Sequence, residues 1–351
     1  MHYGYAPINL SNDDLKWEES KQTNIGMEIS FLKNQLTAEF DYYRKVTTGI
    51  LLRPNIPDLV GAANPPFQNA ADILNRGIEA SINWRQAGKF SYSLGAQFTT
   101  VHNEVLSLGQ GRDFLEGGDL GVGGKRITYT VPGHPIGAFY GYETNGIFQN
   151  QAEIDQGATI GDEQPGDLRF VDQNGDGKIT SEEDRVYLGS SIPTLIYGFN
   201  LGASYLGFDV GIDFTGQTGN KVANAKKVAR FGTYNFESSY LDRWTGEGTS
   251  TTEPRVTNGG HNYLVSDWML EDGSYLKLRS VQFGYTLPAS LTQKWKFTSV
   301  RFYVSGTDLW NNSSYSGYSP EIASEQPLNN GVDRGIFPPA KTVTFGLTTN
   351  F

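Results

Sequence analysis

Hydrophobic and polar residues alternate with a period of two in nine segments of the chain, and most of these segments come in pairs joined by tight turns. Successive side chains of a β-strand point to opposite faces of the sheet, so the pattern predicts strands with one apolar and one polar face. The nine predicted strands are 25–31, 36–43, 78–84, 90–98, 197–205, 208–214, 281–287, 300–304 and 343–351. The sequence therefore predicts an all-β fold.

Two architectures could use such strands. A β-sandwich would turn the apolar faces inward against each other, whereas a membrane β-barrel would turn them outward to lipid. Acidic residues stand on the polar face at the centres of several strands, as a hydrated barrel interior allows: Glu28, Glu39, Asp41, Glu79, Asp209 and Asp213. The pattern favours the barrel, with the sandwich as the alternative.

The connections between the strands are very unequal in length, which supports the same choice. Short turns are predicted near 33–34, 87–89, 206–208 and 288–298. Long segments cover about 50–74, 106–194, 220–272 and 310–339. Short turns on one side and long loops on the other are typical of outer-membrane barrels, whose long loops are extracellular.

The number and phase of the strands add two expectations. Outer-membrane barrels of bacteria have an even number of strands, and an open edge in lipid is costly, so nine strands predict only part of a barrel wall. The alternation also changes phase between 276–278 and Val281. Either a β-bulge near Arg279 and Ser280 or a strand that rises above the membrane would explain this slip.

Composition narrows the function further. The chain has 351 residues, a net charge of −10 and no cysteine, which argues against nucleic-acid binding, disulfide scaffolds and thiolate metal sites. A mean hydropathy of −0.42 without a long apolar run excludes a helical membrane protein. The first residues, 1–7, show no signal peptide, so the chain is either cytosolic or part of a longer protein.

One local motif has a defined chemistry. Residues 172–183 match the calcium-loop pattern of acid or amide oxygens at positions one, three and five, glycine at six and glutamate at twelve. The predicted ligands are Asp172, Asn174, Asp176, the carbonyl of Lys178, Thr180 and Glu183. Residues 168–171 before the loop are predicted to be extended and residues 182–185 after it to form at most one helical turn, which is unlike a helical calcium hand. A bound Ca²⁺ would therefore have a structural role. The alternative is a turn that binds nothing.

No catalytic arrangement is recognisable. The four histidines are scattered, and no HExxH or GxSxG pattern occurs. The glycine-rich run 117–125 lacks the GK[ST] of a phosphate loop, because Arg126 follows Lys125. We therefore expect neither an enzyme nor an organic cofactor.

Aromatic residues in the long segments are candidate ligand contacts, because their rings can stack on sugars or peptide side chains. For each of these aromatic residues, packing of the loops onto each other is an equally good explanation. The residues predicted to contact a ligand are Tyr140, Tyr142, Tyr234, Trp244, Tyr315 and Tyr318. A helical spacing at Val222, Ala225, Val228 and Ala229 predicts a short helix in one loop.

Several short motifs, taken in order, resemble the C-terminal part of SusC/RagA-type TonB-linked outer-membrane proteins. They run along most of the chain: Asp14–Glu18 before Thr23–Gly26, Asp41–Lys45, Asn75–Glu79, Gly133–Tyr142 with Gly146–Phe148, Pro165–Asp167, Leu188–Ser190 with Pro193, Ser274–Arg279, and Phe345–Leu347 with Phe351. Each motif is weak alone, and the ordered series is specific.

The resemblance implies a 22-stranded antiparallel barrel of which residues 1–351 supply strands 14 to 22, with the region 106–194 as a long extracellular loop. It implies import of oligosaccharides or peptides across the outer membrane. The implied partners are TonB, a SusD-like surface lipoprotein, outer-membrane lipid and the barrel assembly machinery, which would recognise Phe351. The family's plug domain and TonB-contact segment have no counterpart in these residues.

A rival hypothesis follows from the sandwich. In that case the chain would be a secreted, calcium-stabilised carbohydrate-binding or adhesion module without a transport role.

Overall fold

A computed structural model describes residues 11–53, 66–109, 112–229 and 236–351. Its strands are β1 Glu19–Phe31, β2 Leu36–Leu52, β3 Gln68–Gln86, β4 Phe90–Thr100, β5 His102–Leu108, β6 Leu115–Asp119, β7 Arg126–Thr130, β8 Phe139–Tyr142, β9 Thr144–Ile147, β10 Leu168–Phe170, β11 Arg185–Gly189, β12 Leu195–Tyr205, β13 Phe208–Thr218, β14 Lys221–Asn224, β15 Leu270–Asp272, β16 Tyr275–Thr286, β17 Ser299–Ser313, β18 Val332–Asp333 and β19 Thr342–Asn350. Its helices are α1 Gln151–Gln156, α2 Lys226–Ala229 and α3 Ala289–Thr292, with 3₁₀ turns at Ser238–Asp242, His261–Tyr263, Asp267–Met269, Gln293–Trp295 and Pro327–Asn329.

All nine predicted strands lie in one antiparallel sheet, here called the wall sheet, in the order β1-β2-β3-β4-β12-β13-β16-β17-β19. β5 continues the direction of β4 and pairs with the first part of β3. Strands that follow each other along this order are joined by short turns or by the long loops. At the β12–β13 turn, Leu206 and Gly207 both have positive φ, which is the backbone of a two-residue hairpin.

The register makes the apolar face continuous from strand to strand. Ile25 pairs with Tyr42, and Tyr42 pairs with Ile78. At the other end of the sheet Val304 pairs with both Phe283 and Phe345. Directly paired residues share a face, so one side of the wall sheet is apolar throughout.

This apolar face is exposed, which contradicts the sandwich. Phe345 is 81% exposed, and Ile25 of β1, Ile82 of β3, Phe199 of β12 and Phe283 of β16 are exposed as well. Within the described ranges no second sheet covers them. The sandwich architecture, and the secreted module built on it, are therefore wrong for this chain.

The polar face is held together by hydrogen bonds between strands. Asp213 accepts a 2.6 Å hydrogen bond from Ser280, and the Arg301 guanidinium pairs with Asp209. Asp41 and Glu79 are register partners. Acidic residues at strand centres therefore lie on the hydrated side, as predicted.

The phase slip is a β-bulge. Asp213 pairs with Ser280 and Phe214 pairs with Leu278, so Arg279 is the extra residue in β16. The short-helix prediction is only partly right, because Val222 lies in β14 and the helix covers only Lys226–Ala229.

Three smaller sheets are built from the long loops: β11-β8-β7-β6, β10-β9 and β15-β14-β18. The buried apolar residues gather there and at the adjoining strand ends. The first loop core contains Leu120, Ile127, Phe139, Leu188, Ala223, Ala225, Val228, Tyr263, Met269 and Val332. The second contains Leu52, Ala70, Ala71, Ile73, Val105, Leu115, Ile136 and Leu328, and the third Tyr142, Ile147, Leu168, Phe170 and Ile179.

None of the helices among the described residues has the length and apolar character needed to cross a membrane.

Candidate functional site

The calcium-type loop connects β10 to β11, and the segment before it is extended as predicted. The Asp172 carboxylate accepts the backbone N–H groups of Gly175 at 2.7 Å and Gly177 at 2.8 Å. Both glycines have positive φ, which lets the backbone turn around the carboxylate. These hydrogen bonds, first that of Gly177, lower the pKa of Asp172 below its ordinary value of 3.8.

The other predicted ligands are partly brought together. The Asn174 amide donates to Glu183 Oε2 at 3.2 Å, which joins the third and twelfth positions of the loop. Asp176 accepts the N–H of Lys178, and the Thr180 hydroxyl accepts the N–H of Glu183. The loop thus brings several of the predicted ligands together, and the carboxylates of Asp172 and Asp176 are hydrogen-bonded to backbone N–H groups.

Sequence analysis missed the residue that closes this loop. Asp184 is buried and accepts the N–H groups of Gln173 at 2.8 Å and Thr180 at 2.6 Å, which joins the two ends of the loop. The only signal for it was a third acid after Glu182 and Glu183. The two buried hydrogen bonds hold the loop in shape whatever it binds.

Aromatic rings form a continuous stripe across the sheet β11-β8-β7-β6. Tyr129 stacks on Phe114 at 4.6 Å and on Tyr140 at 4.7 Å between ring centroids. Tyr140 contacts Tyr187, and Tyr187 stacks on His134 at 3.5 Å. Burial raises the pKa of Tyr187 to about 12, so its hydroxyl stays protonated at neutral pH. The aromatic stripe consists of Phe114, Tyr129, His134, Tyr140 and Tyr187.

The predicted ligand aromatics fall into different environments. Tyr140 lies in the aromatic stripe, Tyr318 is exposed, and Trp244 is half-buried with its indole N–H on Gln149. Tyr142 and Tyr315 are buried, so their rings pack the loops instead of facing a ligand. Tyr234 lies outside the described residues.

A buried ion pair joins two of the long loops, the one between β13 and β16 and the one between β17 and β19. Lys226 Nζ lies 2.6 Å from Asp333 Oδ2, and the Tyr315 hydroxyl donates to the same oxygen. Asp333 also accepts the N–H groups of Gly335 and Ile336. Burial by itself raises the pKa of Asp333, but the hydrogen bonds, led by that of Lys226, bring it below its ordinary value of 3.8. We call Lys226, Tyr315 and Asp333 the buried triad.

The buried triad predicts a pH dependence at both ends of the range. Because the pKa of Asp333 is lowered in the folded state, its carboxylate stabilises the fold above pH 3.8. This stabilisation disappears as the pH falls through the pKa of the folded state. Burial and Asp333 raise the pKa of Tyr315 above 10.0, so its contribution is present below pH 10.0 and is lost at higher pH. Hydrogen exchange of loop amides, corrected for intrinsic rates, should be constant from about pH 5 to 9 and should accelerate outside that window. Equal acceleration in Asp333→Asn would contradict this assignment for the acid side.

The last residue, Phe351, follows β19 and is exposed. Its ring lies 5.0 Å from that of Phe297, in the turn between β16 and β17. The terminal aromatic thus lies at the same edge of the wall sheet as the short turns.

Comparison with known proteins agrees with this architecture. Residues 2–318 match the family model of the TonB dependent receptor-like β-barrel. The chain belongs to this family. It is therefore an outer-membrane protein, and its wall sheet is an open part of a β-barrel with the apolar face toward lipid.

Curated relatives share sequence over the whole chain. TonB-dependent receptor P3 of Formosa agariphila is 32% identical over 359 residues, covering 99% of this chain and 36% of the relative. TonB-dependent receptor SusC of Bacteroides thetaiotaomicron is 26% identical, covering 100% of this chain and 34% of the relative. The chain thus spans about a third of the length of these relatives.

A solved structure shows the same fold. The RagAB peptide transporter superposes with a TM-score of 0.75 at 22% identity, covering 96% of this chain and 35% of that one. The match lies in the C-terminal part of the transporter chain. The resemblance to SusC/RagA proteins is confirmed.

Proposed function

We propose that this chain forms the C-terminal part of the barrel wall and the extracellular loops of a TonB-dependent importer of oligosaccharides or peptides. The wall sheet, with its continuous exposed apolar face, is the observation that carries the proposal, because only a lipid environment covers such a face. A SusD-like surface lipoprotein is the proposed partner outside, and TonB supplies energy through parts of the protein beyond these residues. The relatives named SusC and RagAB support this partnership.

The loops provide the proposed ligand surface. They carry their own apolar cores, so they are ordered structures that can hold a binding surface in place. The half-buried rings of Tyr129, Tyr140 and Tyr187 in the aromatic stripe, with the exposed Phe114 and Tyr318, offer faces for stacking on sugar rings or on peptide side chains. We propose that Phe351 serves as the recognition signal for the barrel assembly machinery.

Growth tests the proposed transport. Deletion of the gene should abolish or strongly slow growth on one defined oligosaccharide or on one defined peptide mixture as sole nutrient, with normal growth on monosaccharides and amino acids. Restored growth from a plasmid copy is the control. Unchanged growth on every oligosaccharide and peptide source would contradict the import proposal, and the source that fails identifies the class of substrate.

We also propose that the loop 172–183 binds Ca²⁺ and that the ion stiffens the extracellular region. The Asn174–Glu183 contact and the positions of Gly175 and Gly177 fit a ligand set of hard oxygens, in which Asp172 and Asp176 would exchange their backbone hydrogen bonds for the ion. Bound calcium would have a structural role only, since it would cross-link the loop.

Calorimetric titration of the detergent-purified protein with calcium tests this site. We expect binding at the wild-type loop and a loss of at least about tenfold in affinity for Asp172→Ala, because one charged ligand is removed. Asp155→Ala is the matched control, since Asp155 is an exposed acid of the same region whose carboxylate accepts a hydrogen bond from Gln151 in α1. Identical titrations for the wild type and Asp172→Ala would remove the site.

A further inference from the structure

A second cluster, separate from the calcium-type loop, combines one buried histidine with two carboxylates. His261 comes from the 3₁₀ turn His261–Tyr263, whereas Asp162 and Glu163 come from the segment between α1 and β10. The ring nitrogen and the carboxylate oxygens lie within 4.8 Å of one another. Among the described residues this is the one group of three such side chains that meets at this distance.

The tautomer of His261 is set by its environment. Nε2 lies 2.7 Å from the carbonyl oxygen of Leu168, and a carbonyl can only accept, so Nε2 carries a proton. The ring also stacks on Phe170 at 4.5 Å, which fixes its orientation. Nδ1 therefore presents a lone pair in a defined direction.

That lone pair has no hydrogen-bond partner among the described residues. The His261 side chain is 4% exposed, and Nδ1 is buried without a hydrogen bond. Its neighbours are Asp162 Oδ1 and Glu163 Oε1, both at 3.7 Å, which is beyond hydrogen-bond length. A bare imidazole nitrogen facing two carboxylate oxygens is unfavourable unless a metal cation or a proton lies between them.

The spacing fits one metal ion. Ligands at about 2.0–2.2 Å from a tetrahedral ion lie about 3.3–3.6 Å apart, close to the 3.7 Å that separates Nδ1 from each carboxylate oxygen. The proton on Nε2, donated to a backbone carbonyl, is the usual arrangement of a histidine that ligates a metal through its other nitrogen. The Glu163 side chain is 1% exposed, and its two oxygens accept the N–H groups of Ile160 and Gly161, so it is held in place before any ion binds.

We propose that His261, Glu163 and Asp162 bind a divalent transition-metal cation such as Zn²⁺, with water in the remaining position. Nitrogen plus carboxylate ligation favours this class over Ca²⁺, which takes six to eight oxygens. Asp162 is 69% exposed and leaves a path for the ion from solvent.

The ion would fasten two loop segments that already meet. Arg255 forms a bidentate pair with Asp167 at 2.7 and 3.1 Å, and Asn262 accepts the N–H of Leu168 at 2.8 Å. The proposed site adds a further cross-link between the same two segments, 162–168 and 255–262. Its role is structural, and it is independent of the substrate and of TonB.

Zinc titration of the detergent-purified protein, in excess calcium so that the loop 172–183 is saturated, tests the site. We expect one Zn²⁺ per chain, with affinity reduced at least about 100-fold in His261→Gln and Glu163→Gln, since even outer-shell changes cost 10- to 100-fold. Asp162→Ala should lose at least about tenfold, and because this side chain is exposed, the loss cannot be attributed to misfolding. Zinc should also raise the melting temperature of the wild type but not that of His261→Gln.

The matched control is His102→Gln. His102 also faces a carboxylate, Glu104, at 3.2 Å, but it is more exposed, and among the described residues Glu104 is its one acidic partner within 4.0 Å. This variant should bind zinc like the wild type. Absence of zinc binding in the wild type, or wild-type affinity in either His261→Gln or Asp162→Ala, would overturn the proposal and would indicate that a protonated His261 pairs with the two acids instead.

Discussion

Replacing Lys226 by methionine is expected to destabilise the joint between the loops by about 3–5 kcal/mol, because the buried carboxylate of Asp333 then loses its only counter-charge within 4.0 Å among the described residues. The N–H groups of Ala223 and Ala225 report on this joint directly, since they donate to the carbonyls of Gly331 and Asp333. Hydrogen exchange of these two amides should accelerate by about 100-fold or more.

The neighbouring lysine is the matched control. Lys227 lies 3.5 Å from Glu271 and donates to the carbonyl of Trp268 at 2.8 Å, but its side chain and that of Glu271 are partly exposed. Lys227→Met should therefore cost about 1–2 kcal/mol, less than Lys226→Met. Both variants remove one positive charge and keep a long apolar side chain. Equal acceleration in the two variants would show that the burial of the pair does not matter, contrary to our interpretation of the buried triad.

Placing an arginine on the apolar face of the wall sheet should impair insertion into the membrane. Phe199 lies in the middle of β12 and is exposed on that face. Phe199→Arg should therefore make folding into lipid less favourable by about 2–4 kcal/mol. Urea titration of folding into liposomes, followed by the gel mobility of the folded form, measures this cost.

The adjacent residue provides the control. Asn200 points to the opposite face, and its register partner on β13 is Asp213. The carboxylate of Asp213 can form an ion pair with an arginine at position 200. Asn200→Arg should therefore change the folding free energy by less than about 1 kcal/mol. If both variants fold equally well, or if Asn200→Arg is the worse of the two, the assignment of the apolar face to lipid is wrong.

The wall sheet could be predicted from sequence because its information is local. A period of two identifies each strand, and residues such as Leu206 and Gly207 identify the turn that joins β12 to β13. The bulge at Arg279 was one of two explanations for the phase slip, and pairing with both neighbouring strands decided it. The calcium-type loop could be recognised for the same reason, since its predicted ligands lie within twelve residues.

The loops could not be predicted in the same way, because their contacts join residues far apart in sequence. Nothing local shows that Lys226 meets Asp333, or that His261 meets Glu163. The same limit applies to the aromatic residues. Tyr140 and Tyr142 stand two positions apart, yet one lies in the aromatic stripe and the other in the third loop core.

The sequence by itself determined the nine strands, their two faces and the family of this protein, since alternation and short motifs are properties of neighbouring residues. Tertiary structure decided where the chain buries its core. A sheet that gives its apolar face to lipid cannot use that face for packing, so the buried apolar side chains gather in the loops and at the strand ends beside them. The buried triad and the His261 cluster exist only because those loops fold against one another.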